Sequence, residues 1–151
     1  SPINAYMLNL GLESLHVRMA RHCENGQAVA EFLASHPKIA YVNYCGLPGD
    51  KYHAVAEKYL PNGSCGVVSF GVKGGREAAA AFMGHLKIAA IETHVADART
   101  CCLHPASSTH RQMNDEQLIA AGVQPDLVRM SCGLEDKNDL IHDIAQALDQ
   151  I

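Results

Sequence analysis

The sequence predicts an α+β fold: a two-layer sandwich in which a small mixed or antiparallel sheet carries helices on one face. Three observations support it. Stretches with apolar residues three and four apart alternate with short β-rich runs bounded by Gly and Pro, in the order helix, strand, helix, strand, helix, strand, strand, helix, strand, helix. The 151 residues suffice for a single domain with its own core. No internal repeat, low-complexity tract or linker divides them.

Leu8, Leu12, Leu15, Met19 and Cys23, continued by Val29, Ala30, Phe32 and Leu33, trace one amphipathic helix from Ala5 to Ser35. His36-Pro37 ends it, because the residue before Pro avoids helical angles. About 30 residues is long for so small a domain, so one end is expected to bridge beyond this chain. Ile39 to Tyr44 reads as a strand and Gly46-Leu-Pro-Gly49 as a turn. A short helix over Tyr52 to Tyr59 precedes a buried strand over Cys65 to Val72. Gly74-Gly75 breaks that strand, and the Ala-rich run Arg76 to His85 favours helix. Ile88 to Ile91 and Thr100 to Leu103 are short strands, and Ser107 to His110 is a polar loop. Asn114 and Gln117 form a capping-box pair for a helix from Asp115 to Ala121, which Gly122 stops. After a strand around Arg129, Asp136 and Asp139 place negative charge at the start of a last helix. Its stripe is Leu140, Ile141, Ile144, Leu148 and Ile151.

Composition narrows the function classes. A net charge of −4 gives no electrostatic reason for a nucleic-acid or anionic-membrane partner. With 5% aromatic residues and no Trp, a base-stacking surface is not expected either. No apolar run approaches the roughly 20 residues of a membrane span. The N-terminus lacks the layout of a secretion signal and an initiator Met, so the chain reads as a piece of a longer one. Six irregularly spaced Cys, mostly in apolar runs, fit a reducing, cytoplasmic setting. Nine His beside them raise the question of zinc. Yet no His pair is four apart and no Cys-x-x-Cys occurs, so spacing predicts no metal site.

The segment Asp126-Leu-Val-Arg-Met-Ser-Cys-Gly-Leu-Glu-Asp136 is the most informative for chemistry. Side chains alternate along a strand, so Val128, Met130 and Cys132 share one face and Leu127, Arg129 and Ser131 the other. A guanidinium among apolar neighbours is costly unless an anion pairs with it, and its fork suits a carboxylate. Arg129 is thus either an anion anchor or a solvated cation on the outer face. Gly71-Val-Lys-Gly-Gly75 has the context of a phosphate loop but neither Gly-rich fingerprint, and a plain strand-to-helix turn is the better reading. Thr93 to Arg99 and Leu103 to His110 gather His, Asp, Arg, Ser and Thr, with no G-x-S-x-G elbow to fix a hydrolytic triad.

Taken together, several stretches resemble one known family. They are Ser1-Pro-Ile-Asn-Ala5, Gly11 to His22, Tyr44-Cys-Gly-Leu-Pro-Gly49, Cys65 to Gly75, Leu103-His-Pro-Ala-Ser-Ser-Thr-His110 and Leu127 to Asp136. They are similar to the pyridoxal-phosphate enzymes of Cys/Met metabolism, which have the aspartate-aminotransferase fold type, at the point where the large domain gives way to the small one. The resemblance implies that residues 1–151 are the small C-terminal domain, with residues 1–35 leading in from an N-terminal cofactor-binding domain that is its partner. It implies pyridoxal 5'-phosphate as cofactor of the whole enzyme, bound through a Lys in an S-x-T-K-type motif. None of Lys38, Lys51, Lys58, Lys73, Lys87 and Lys137 follows Ser-x-Thr. The resemblance therefore assigns no catalytic and no cofactor-binding residue here, and implies that this piece alone binds no cofactor and is inactive. It implies that Arg129 clamps the α-carboxylate of an amino-acid substrate, with His94 and the Val95 N–H as further contacts. His94 stands where relatives have Asn or Ser. The implied reaction is γ-replacement on O-acetyl-L-homoserine by sulfide or methanethiol, giving homocysteine or methionine, in a homotetramer. A γ-lyase, a cystathionine γ-synthase and a freestanding amino-acid-binding module are the alternatives.

Overall fold

A computed structural model describes all residues from 1 to 151. Five strands form one mixed sheet in the order β1-β2-β5-β4-β3: β1 (Ile39–Asn43), β2 (Val67–Val72), β3 (Ala90–Ile91), β4 (Cys101–Leu103) and β5 (Leu127–Ser131). Neighbours run antiparallel except β3 and β4, which are parallel. The helices are α1 (Pro2–Glu13), α2 (Leu15–Ser35), α3 (His53–Tyr59), α4 (Gly75–His85), α5 (Asp115–Ala120) and α6 (Lys137–Asp149).

The central strand β5 divides the molecule as its alternation predicts. Val128, Met130 and Cys132 are fully buried. They share a core with Val68, Phe70 and Val72 of β2, Val29 and Leu33 of α2, Phe82 of α4, and Leu140, Ile144 and Leu148 of α6. Phe70 and Phe82 meet edge-to-face at 5.8 Å between ring centroids, a favoured aromatic geometry. Helices α2, α4 and α6 thus cover one face of the sheet, and Arg129 lies on the other.

The expected single helix from Ala5 to Ser35 is in fact two. Ser14, at φ −101° and ψ 3°, leaves the helical region and separates α1 from α2. The Arg18 guanidinium straddles the break, donating to the Gly11 carbonyl and to Ser14 Oγ. Gly11 and Ser14 are weak helix formers close together, which is the local cause. The predicted apolar stripe is not buried either: α1 has no buried residue, and Ile3, Tyr6, Met7, Leu8, Leu10 and Leu12 stand exposed. Only from His22 onward does α2 enter the core.

Helix α6 is held at both ends. Asp136 accepts from the Asn138 N–H at its N-terminus, and Lys38 Nζ donates to the Leu148 and Ile151 carbonyls at the other end. From its buried side the Asp143 carboxylate accepts the N–H groups of Lys87, Ile88 and Ala89 at 2.8, 2.9 and 3.1 Å. That latch fixes the segment between α4 and β3. The capping box of Asn114 and Gln117 forms at the start of α5 as read from the sequence. Gly74 and Gly75 take φ of 108° and 76°, so the turn into α4 needs glycine for its backbone. Glu77 in the first turn of α4 opposes an anion there, in keeping with a plain turn.

Candidate functional site

On β5, Arg129 pairs in register with Ser69 of β2 and Leu103 of β4, so these three side chains share the helix-free face. The guanidinium is half-buried. One of its five donors is used within the chain: Nη2 donates to the Thr93 carbonyl at 2.8 Å. Nε is buried with no partner, and none of the chain's ion pairs involves Arg129. Leaving a buried donor unpaired costs about 1–3 kcal/mol, so the arrangement favours an acceptor brought from outside. Arg129 is thus neither fully solvated nor paired with an anion within the chain.

The loop after β3 lies over the same face. Thr93 receives Arg129, and three residues on, the Ala96 N–H donates to Ser131 Oγ at 3.0 Å. Ala96 adopts φ 58°, a left-handed conformation rare for a residue with a Cβ, and the Ser131 bond holds it there. His94 and Val95 are carried between these two tethers. The Val95 N–H makes no backbone hydrogen bond, and its side chain is exposed. The His94 imidazole is turned to Glu92 Oε2 at 3.1 Å and Asp97 Oδ2 at 3.5 Å. The structure thus brings Arg129 and the loop of His94 and Val95 together through Thr93, while the imidazole already has carboxylate partners.

Residues that the sequence reading did not single out hold this arrangement. The Glu135 carboxylate accepts Thr100 N and Thr100 Oγ1 at 2.6 and 2.8 Å, and Thr100 Oγ1 accepts the Gly133 N–H at 2.8 Å. Asn25 Nδ2 donates to the Gly133 and Glu135 carbonyls, both at 2.9 Å, and His22 Nδ1 bonds the Cys132 carbonyl at 2.6 Å. A Cβ on Gly133 would lie 2.5 Å from the Ala98 carbonyl oxygen, so glycine is required for the loop to pack this close. The one local signal was two polar residues, His22 and Asn25, on the side of α2 that also carries Val29.

The His-Pro-Ala-Ser segment after β4 is structural. His104 is buried, its Nε2 bonded to the Pro125 carbonyl at 2.8 Å and its Nδ1 to Ser107 Oγ at 2.9 Å. No carboxylate completes a triad, and burial pushes the imidazole pKa down. Next to Val95 is a hollow of about 140 Å³, lined by Met19, His22, Val95, Ala96 and Ser131 among others; the Nε2 of that His22 is buried and unpartnered. A larger hollow, about 600 Å³ between α2, α3 and residues 60–64, shares none of the groups around Arg129. The smaller one shares Val95, Ala96 and Ser131 with the loop and strand beside Arg129, though Arg129 and His94 do not line it. The lysines of known bonding are occupied elsewhere: Lys38 at the end of α6, Lys73 at the Pro37 carbonyl, and Lys137 at Glu24. The residues around Arg129 suit the acid end of a ligand.

Comparison with known proteins places this geometry. The chain is 45% identical, over its whole length, to an O-acetyl-L-homoserine sulfhydrylase of Leptospira meyeri, covering 34% of that protein. It is 44% identical over 99% of its length to a homocysteine synthase of Schizosaccharomyces pombe, covering 35%. An L-methionine gamma-lyase of Treponema denticola matches at 40% identity over 99% of the chain and 37% of the lyase. The chain therefore spans about a third of the length of these relatives. A crystal structure from Campylobacter jejuni, described as an O-acetylhomoserine (thiol)-lyase with N'-pyridoxyl-lysine-5'-monophosphate, superposes with a TM-score of 0.90 at 39% identity. It covers 99% of this chain and 35% of that one. The sequence profile described as Cys/Met metabolism PLP-dependent enzyme extends over residues 1–149, and by that match the chain belongs to this pyridoxal-phosphate-dependent family.

Proposed function

We propose that this chain is the substrate-recognition domain of a cytoplasmic, homotetrameric O-acetylhomoserine sulfhydrylase. In this reading an N-terminal domain supplies the cofactor lysine, and the chain alone is inactive. The observation that carries the proposal is Arg129: half-buried on the helix-free face, free of carboxylate partners, with one donor buried and unpaired. A bound α-carboxylate satisfies that fork at two points. The Val95 N–H is free to add a third contact, as the tethers at Thr93 and Ala96 hold it beside the same strand. His94 donates to the carboxylate in this reading only when it turns from Glu92, 3.1 Å away.

When bound in the whole enzyme, pyridoxal phosphate supplies the electron sink for carbanion chemistry at the substrate's α-carbon. This chain's part is positional. Arg129 fixes the acid end, and that orients the Cα–H bond toward a base outside this chain. Acetate is then replaced at Cγ by sulfide or methanethiol. In the complete enzyme, Arg129→Lys keeps the charge and loses the fork. KM for the amino acid should rise at least about tenfold, the cost of one charge-assisted contact, with cofactor absorbance unchanged. An unaltered KM would remove Arg129 from the site.

A γ-lyase is the second reading, because methionine gamma-lyases match at 37–40% identity. Sulfide-dependent consumption of O-acetylhomoserine supports the first; release of an α-keto acid from methionine without added thiol supports the second.

A further inference from the structure

The sequence shows no metal spacing, but the fold assembles one. Cys101 opens β4 and pairs in register with Ala90 of β3, and Glu92 lies two residues beyond Ala90, so both side chains fall on one face. Cys101 also faces Ser131 of β5, which puts the pair on the same helix-free side as Arg129. His94 returns over them from the loop. The ligand atoms of Glu92, His94 and Cys101 all lie within 4.8 Å of one another. Glu92 Oε2 is 3.1 Å from His94 Nδ1 and 3.7 Å from Cys101 Sγ. Asp97 Oδ2 stands 3.5 Å from the same imidazole nitrogen.

From these positions we propose that Glu92, His94 and Cys101 bind a zinc ion, with Asp97 or a water as fourth ligand. Bonds of about 2.0–2.3 Å to N, O and S in a tetrahedron require ligand atoms roughly 3.3–3.8 Å apart. The Glu–His and Glu–Cys separations are already within a few tenths of an ångström of that. A set with one sulfur, one nitrogen and carboxylate oxygen selects zinc over calcium or magnesium, which take oxygen alone. The Arg99 guanidinium now provides the positive charge here, 3.2 Å from Glu92 and 3.7 Å from Asp97. Arg99 is mostly exposed and swings out as the ion enters. On binding, a sulfur–zinc bond forms as the Cys101 S–H bond breaks, and the proton leaves to solvent. The His94 ring proton moves to Nε2 as Nδ1 takes the metal.

The site shares His94 with the substrate reading above, but metal binding is measured without substrate, so the failure of one reading is distinguishable from the failure of the other. Metal-stripped protein is titrated with Co²⁺, then with Zn²⁺. One equivalent of Co²⁺ should bind with a thiolate-to-metal charge-transfer absorption, and Zn²⁺ should displace it. Cys101→Ser should abolish that band, and Glu92→Gln should weaken Zn²⁺ binding at least about tenfold, a loss seen even for outer-sphere partners. Cys45→Ser, remote from the cluster, should leave both intact. Absence of the band in the unsubstituted protein, or its survival in Cys101→Ser, overturns the proposal. If Cys101→Ser fails to fold by circular dichroism, Glu92→Gln decides: undiminished zinc affinity there also overturns it.

Discussion

Helices α1 and α6 are nearly equal in length, 12 and 13 residues, and both carry many apolar side chains, yet they end in opposite situations. Helix α6 buries Leu140, Ile144, Ala147 and Leu148, is capped by Asp136 and Lys38, and sends Asp143 inward to three backbone amides. Helix α1 buries nothing and has no side-chain cap. Periodicity reports that a helix has a face to hide; it does not report whether the covering partner is in the same chain. For α6 the cover is this chain's own sheet, and its stability is settled here. For α1 nothing in the 151 residues covers the face, so in our reading its apolar area, worth roughly 25 cal/mol per Å² once buried, serves a contact with the N-terminal domain.

The contrast can be broken most sharply at Ile144. Truncation to Ala should cost about 2–5 kcal/mol, the usual range for a buried aliphatic side chain, read from urea midpoints. A cost under 1 kcal/mol would mean that α6 is not anchored as described. Asp143→Ala should cost about 2–3 kcal/mol, because three amides at residues 87–89 lose a buried acceptor. Its amide exchange should speed up at those residues and not at β5. A middle-sized effect is expected from pH. With His104 titrating below its unfolded value of about 6.5, the unfolded chain binds more protons between the two pKa values. Stability from this group is complete above about pH 6.5 and is lost as pH falls below it. Comparing urea midpoints at pH 7.5 and 5.5, His104→Gln should show the smaller decline. Leu8→Ser closes the series at no more than about 0.5 kcal/mol in this chain. A loss like that of Ile144→Ala would show that α1 is covered after all.

The same contrast marks what was readable in the residues. Alternation along β5 placed Val128, Met130 and Cys132 inward and Arg129 outward, since a strand's faces follow from spacing alone. The Asn114–Gln117 box and the stripe of α6 were local in the same sense. What escaped depended on partners far along the chain. Asp143 finds its amides 54 to 56 residues away. Asn25 meets Gly133 and Glu135 across more than 100 residues. Glu92, His94 and Cys101 are near in sequence but match no metal-ligand spacing, and only the parallel pairing of β3 with β4 and the fold of the loop between them bring the three together. The break at Ser14 was legible in principle, as Gly11 and Ser14 interrupt the pattern; the continuous stripe across it masked the signal.

Residues 93 to 100 are moored to the central strand and the segment that follows it at four places: Thr93 by Arg129, Ala96 by Ser131, Ala98 by Leu134, and Thr100 by Glu135 and Gly133. Cation and loop therefore travel as one jaw. A load on any one tie is shared by the other three, so the guanidinium and the loop beside it keep their spacing.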